Sequence, residues 1–225
     1  MLPDRSRDAL VTRIGDSLRG LLSFGRSGGP KAPDESSPAA WNAFTRAAAA
    51  LGPEASVLEI GTRETVPGRI LTSMLHFPHA QRSRYVLADV QPGLGVDVVA
   101  DLHRLPPDWA GRFDAVVAVA VFEHLERPWI AAAEIARALA PGGFCYISTC
   151  QTFPLHAHPS DFFRFSREAL ALIFRDAGLD IVECAYQHRT KIIAPKGFMT
   201  PATQMTWNDI WPSYLTVDVF ATKRG

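Results

Sequence analysis

The chain has 225 residues, 47% of them apolar, with 23 Lys and Arg against 23 Asp and Glu. That length holds one full-sized core plus an appendage. The formal net charge of zero excludes nucleic-acid binding by basic excess, and no apolar run approaches the ~20 residues of a membrane span.

Residues 7–24 carry Leu10, Val11, Ile14, Leu18, Leu21 and Leu22 on one helical face. This helix is read as packing on its own domain or as a partly ordered arm, because Asp8 and Asp16 dilute its basic face. A weak peripheral membrane contact is its alternative reading. No secretory signal is recognisable at this end. Residues 27–37 are a linker by composition, so residues 1–37 form an N-terminal extension and 38–225 one domain.

A helix follows, with Ser37 as cap, Pro38 in its first turn, and a stop at Gly52-Pro53. Trp41, Phe44, Ala48 and Leu51 form its buried stripe. Val57, Leu58 and Ile60 then make a short apolar run that ends at Gly61, which reads as a buried parallel strand feeding a loop. Val66-Pro67-Gly68 is expected to open a helix carrying Ile70, Leu71 and Met74. Tyr85–Ala88 is the second strand, ending at Asp89, and Val96–Ala100 the third, ending at Asp101. Residues 90–95 between them are too few for a helical crossover, so a tight or extended connection is expected.

Asp114–Val121 is the fourth strand. Pro128 starts a helix with Trp129, Ala132, Ala133, Ala136 and Leu139 on its face, ended by Pro141-Gly142-Gly143. Phe144–Thr149 is the fifth strand. Ser166 caps a helix (Leu170, Ile173, Phe174, Ala177) stopped by Gly178, and Ile181–Tyr186 and Leu215–Thr222 supply the last strands. Residues 187–213 read as an aromatic insertion of little periodicity that covers a pocket or makes a homodimer contact. Strands alternating with helices argue a doubly wound, mostly parallel seven-stranded α/β sheet with an N-terminal helical extension. Ligands bind such sheets at the carboxyl ends of the strands.

The residues at those ends resemble a known family. Glu59-Ile60-Gly61, Asp89, Asp101, Phe122-Glu123-His124, and Arg137 through Gly143 are together similar to class I S-adenosylmethionine-dependent methyltransferases of the small bacterial type. The resemblance covers residues 55–185. It implies S-adenosylmethionine as cofactor, with Glu59, Gly61, Thr62 and Arg63 on the first loop lining its pocket. It further implies Asp89 and Val90 at the ribose, Asp101 and Leu102 at the adenine, and Ala120 and Phe122 on the loop after the fourth strand. A carboxylate suits the ribose diol because it accepts two hydrogen bonds. One departure stands out: Arg63 and Thr65 occupy positions where the family's loop usually carries further glycines. Arg63 either pairs with the donor's carboxylate or points outward, and a degenerate member that binds a ligand or protein without turnover is the alternative function.

His124, His158 and Asp161 are the catalytic candidates, with His156 beside them as a further general base. His156-x-His158 with Asp161 also invites a metal reading. The motif is short and follows the fifth strand, so no metal is expected and the loop through Phe162, Phe163 and Arg164 is read as an acceptor wall. Cys145, Cys150 and Cys184 show no metal-ligand spacing and read as reduced thiols of a cytoplasmic protein. The acceptor implied by the resemblance is a small molecule, a sugar or cell-envelope glycan precursor.

Overall fold

A computed structural model describes residues 31–68, 72–156, 160–198 and 200–225. The 7–24 helix, Ile70, Leu71 and His158 lie outside the described residues. By compactness the chain divides into two units, one containing residues 35–189 and 214–225, the other the rest.

The larger unit is built on strands β1 (Val57–Ile60), β2 (Tyr85–Asp89), β3 (Val98–Val99), β4 (Phe113–Val119), β5 (Leu139–Cys150), β6 (Asp180–Thr190) and β7 (Ser213–Thr222). They form one sheet in the order β3-β2-β1-β4-β5-β7-β6. β3, β2, β1, β4 and β5 pair in parallel, and β7 runs antiparallel to β5. The short β2–β3 connection is possible because β3 pairs only Ala88 and Asp89, so the chain need cross only the width of one strand. The expected doubly wound sheet is therefore present.

Helices α1 (Ala39–Ala50), α2 (Pro128–Ala138) and α3 (Arg167–Asp176) flank it. The period-2 alternation of the strands sorts the core into two layers. Val57, Tyr85, Leu87, Ala115, Val117, Phe144 and Tyr146 pack with Phe44 and Ala48 of α1. Leu58, Ile60, Val116, Ala118, Cys145 and Ile147 pack with Ile135 of α2 and Leu170 and Phe174 of α3. Each such side chain contributes roughly 1.5–3 kcal/mol when fully buried, so both faces hold the sheet. Phe44 stacks on Tyr146 with ring centroids 4.5 Å apart and planes 13° apart, which fixes α1 across the centre of the sheet.

Several expectations are corrected here. No α-helix follows β1 among the described residues; Met74–His76 is a single 3₁₀ turn. Its anchor is Glu59, whose carboxylate accepts from Thr72 Oγ1 at 2.6 Å and from the Ser73 amide at 2.7 Å. α1 begins without a side-chain cap from Pro38, while Ser37 Oγ accepts from the Ala39 amide, and Trp41 is partly exposed rather than buried. β5 starts at Leu139 and runs through the Pro-Gly-Gly that was expected to precede it. Gly143 permits this: a Cβ there would meet three backbone carbonyl oxygens at 3.0–3.1 Å. Ser166 does cap α3, accepting from the Ala169 amide at 3.2 Å.

In the smaller unit, residues 190–213 hold a helix that their weak periodicity did not suggest, α4 (Pro201–Ile210). Thr200 caps it through the Thr203 amide, and the buried Asn208 side chain clips Ile192 by both its amide and carbonyl. No described helix is long and apolar enough to cross a membrane.

Candidate functional site

Parallel register aligns the carboxyl ends of four strands. Ile60 lies level with Ala88 and with Ala118, and Val119 with Ser148. The next residues are Gly61, Asp89, Ala120 and Thr149, so one crest carries all of them, and it includes the point between β1 and β4 where the winding reverses.

The first loop is tied down by backbone and side chain together. The Gly61 amide donates to Ala88 O at 2.8 Å, the Glu64 amide to Leu94 O at 2.9 Å, and Thr62 Oγ1 to Gly95 O at 2.7 Å. Gly61 has φ +81°, and a Cβ there would stand 2.4 Å from Val121 Cγ2. A glycine is required both by conformation and by space. Ala120 also has a positive φ, +54°; such a residue at a strand end marks local backbone strain.

Asp89 holds the bend after β2: its Oδ2 accepts from the Arg63 amide at 3.3 Å and its Oδ1 from the Gln91 amide at 2.9 Å. The Arg63 side chain turns back over it, Nε standing 3.9 Å from Oδ1. Its stem packs on Gly93, where a Cβ would come within 2.8 Å of Arg63 Cγ. Arg63 Nε is buried without a hydrogen-bond partner. Arg63 thus neither points outward nor is fully satisfied. Val90 beside it is exposed. Asp101 is held by the His103 amide and ring Nδ1, at 2.9 and 2.8 Å; partial burial opposes its ionisation, but these bonds outweigh burial and lower its pKa.

Other predicted residues stand inside the protein. Thr62, Leu102 and Phe122 are buried, Phe122 against Phe174, and both Glu59 oxygens are engaged, Oε2 also accepting from Tyr85 Oη at 2.7 Å. These four shape the crest from beneath.

On the β4–β5 side, His124 Nδ1 is 2.6 Å from Ser160 O. A carbonyl can only accept, so Nδ1 carries the hydrogen and Nε2 the lone pair in the neutral ring. The His124 ring meets the His156 ring edge-on, centroids 4.8 Å apart. Asp161 receives both Arg164 guanidinium nitrogens and the His156 amide, and Arg164 holds its pKa well below the usual carboxylate range. Asp161 therefore organises the loop. Sequence reasoning missed Glu123 and Cys150 as site residues: Glu123 is completely buried and its carboxylate accepts from Thr149 Oγ1 and Cys150 Sγ. A charged residue inside Val-Phe-Glu-His-Leu was the available signal, since an acid in an apolar run is rarely buried without partners.

A family model described as a methyltransferase domain matches residues 72–147. Among solved structures, the chain is similar to a chain of the Haloferax volcanii complex between the Trm112 methyltransferase activator and a methyltransferase, with 21% identity, TM-score 0.54, and coverage of 83% of this chain and 90% of that one. It is also similar to the 1,6-didemethyltoxoflavin-N1-methyltransferase of Burkholderia thailandensis with bound 1,6-didemethyltoxoflavin and S-adenosylhomocysteine, at 19% identity, TM-score 0.53, and 100% and 93% coverage. A methyltransferase from Mesorhizobium loti dependent on S-adenosylmethionine gives 16% identity, TM-score 0.51, and 82% and 98% coverage. No curated protein matches the chain. The solved structures establish the fold, and the matched segment spans β2 through most of β5. On these grounds the chain has the fold of the solved methyltransferases, and residues 72–147 within it match a methyltransferase domain.

Proposed function

We propose that the protein methylates a nucleophilic oxygen of a small-molecule acceptor, a sugar or cell-envelope glycan precursor, in the cytoplasm. The observation that carries this reading is the crest itself: Gly61 follows the end of β1 and Asp89 ends β2, one position beyond the paired Ile60 and Ala88, and the buried Nε of Arg63, which makes no hydrogen bond, stands 3.9 Å from Asp89 Oδ1. The residues fit the donor. Asp89 suits the ribose diol, Asp101 the adenine amino group, and Arg63 Nε the donor's carboxylate, which would satisfy a buried donor at present without an acceptor. Arg63 then replaces by charge what the usual loop provides by glycine. Leu102, Phe122, Thr62 and Glu59 act as positioning residues, while Gly61, Val90 and Ala120 border the pocket.

When bound, the donor supplies an electrophilic methyl group on a sulfonium. His124, its tautomer set by Ser160 O, would hold the acceptor's hydroxyl through Nε2 and take its proton as general base. Alignment of oxygen, methyl and sulfur supplies much of the acceleration, so Asp161 and Arg164 serve by holding the wall rigid.

Calorimetric titration with S-adenosylmethionine and S-adenosylhomocysteine tests the donor half. Both should bind, and Asp89→Ala and Arg63→Ala should each weaken binding at least tenfold, about 1.4 kcal/mol. Unchanged affinity in both variants refutes these assignments. Transfer of labelled methyl to a panel of nucleotide sugars and lipid-free glycan precursors tests the acceptor half; label appearing only on nitrogen heterocycles overturns it.

A further inference from the structure

Behind the acceptor wall lies chemistry that methyl transfer does not use. Glu123, on the 3₁₀ turn Phe122–His124, is wholly buried. Thr149 Oγ1 donates to its Oε2 at 2.7 Å, and Cys150 Sγ to its Oε1 at 3.2 Å. His156 approaches the same oxygen, with Nε2 4.0 Å from Oε1, beyond a hydrogen bond. At the other edge of that ring, Nδ1 is 3.1 Å from Pro154 O and 3.4 Å from Asp161 Oδ2. Two pure acceptors set Nδ1 as the protonated nitrogen and turn the Nε2 lone pair toward Glu123 and Cys150. One oxygen of Glu123, the sulfur of Cys150 and a ring nitrogen of His156 all lie within 4.8 Å of one another.

We propose that Glu123, Cys150 and His156 form a three-ligand site for a zinc ion. A 4.0 Å gap between a carboxylate oxygen and an imidazole lone pair is too long for mutual contact, but a metal bonding each at about 2.0–2.2 Å spans it. The ring's other nitrogen engages a carbonyl and a carboxylate, the arrangement that fixes metal-ligating histidines. Asp161 is in turn held by Arg164, so the supporting shell exists. Thiolate, imidazole and carboxylate together suit zinc, whereas magnesium and calcium prefer oxygen alone. Charge also balances: one thiolate and one carboxylate cancel the two positive charges of the ion. On loading, the Cys150 sulfur exchanges its proton, released to solvent, for a bond to zinc. Three protein ligands leave a fourth position, as in catalytic zinc sites. If the acceptor's hydroxyl takes it, the metal lowers the pKa of that hydroxyl beside His124; this role rests on the proposed methyl transfer, whereas the site does not.

The test uses the full chain, stripped by chelator and titrated with cobalt(II), then zinc. One equivalent of cobalt should give an intense thiolate-to-metal charge-transfer band that zinc abolishes. Cys150→Ser, folded by circular dichroism, should lose the band, and Cys184→Ser should keep it. Asp161→Asn should weaken binding about 10–100-fold. A band that survives Cys150→Ser, or no stoichiometric binding to the folded wild type, overturns the proposal. Donor titration of the same stripped sample reports separately on the methyltransferase assignments.

Discussion

Substituting alanine at Gly61 isolates the contact between the loops after β1 and β4. Two costs add. A left-handed backbone costs a residue with a Cβ roughly 1–2 kcal/mol, and φ at this position is +81°. The new Cβ would stand 2.4 Å from Val121 Cγ2, more than an ångström inside the optimal carbon–carbon separation of about 3.5–4.0 Å. Relief by side-chain and backbone shifts costs about 1–3 kcal/mol. Gly61→Ala should therefore lose ~2–5 kcal/mol in urea unfolding, with donor affinity falling as the crest is displaced. Pairing it with Val121→Ala removes Cγ2, so the double variant should recover the steric part and keep only the backbone part. A double-mutant cycle, read by urea midpoint and by S-adenosylhomocysteine calorimetry, measures the coupling. A Gly61→Ala loss under about 0.5 kcal/mol, or no coupling to Val121, would refute this account of the glycine.

Glu59→Ala should act on stability first, since it strands the buried Tyr85 hydroxyl and the donors of residues 72 and 73 at about 1–3 kcal/mol for each buried unsatisfied group; adding Tyr85→Phe should recover part of the loss. Reduced donor affinity with unchanged stability would instead make Glu59 a ligand contact. Ser166→Ala removes the α3 cap and should cost about 1 kcal/mol, measurable by thermal unfolding. Burial raises the pKa of Asp218 against the hydrogen bond from Tyr146 Oη. The folded state therefore binds more protons than the unfolded one at this site, and its contribution is present at low pH and lost as pH rises through the raised value. Asp218→Asn should gain on the wild type as pH rises above about 4 and not below it; a constant difference across pH refutes the assignment.

Much of the architecture is legible in residue order because it depends on local periodicity. The apolar runs at 57–60, 85–88 and 114–119 have nowhere to go but a sheet buried on both faces, and α3 carries its cap, stripe and stop within one stretch. The carboxylates at Asp89 and Asp101 are legible for the same reason, Asp89 being the polar residue that ends β2 and Asp101 the first polar residue after β3. Where local signals mislead, a distant partner decides. Pro141-Gly142-Gly143 reads as a breaker, yet the Gly142 amide donates to Lys223 O and the Lys223 amide to Gly143 O, extending β5 through it. The segment after β1 is gathered by Glu59 of β1 itself, through Thr72 and Ser73, and has only a 3₁₀ turn among its described residues. α4 had a usable signal in Thr200-Pro201, a cap followed by proline, but too little periodicity to reveal its face.

The residue sequence alone determined the fold class and where the strands end, since hydrophobic period and turn chemistry act over a few residues. Only the tertiary structure decided that Arg63 folds back over Asp89 rather than into solvent. It alone also brought Glu123, Cys150 and His156 together, because β4 and β5 lie in parallel register and carry their following loops to one edge. No spacing rule encodes that meeting; it follows from which strands become neighbours.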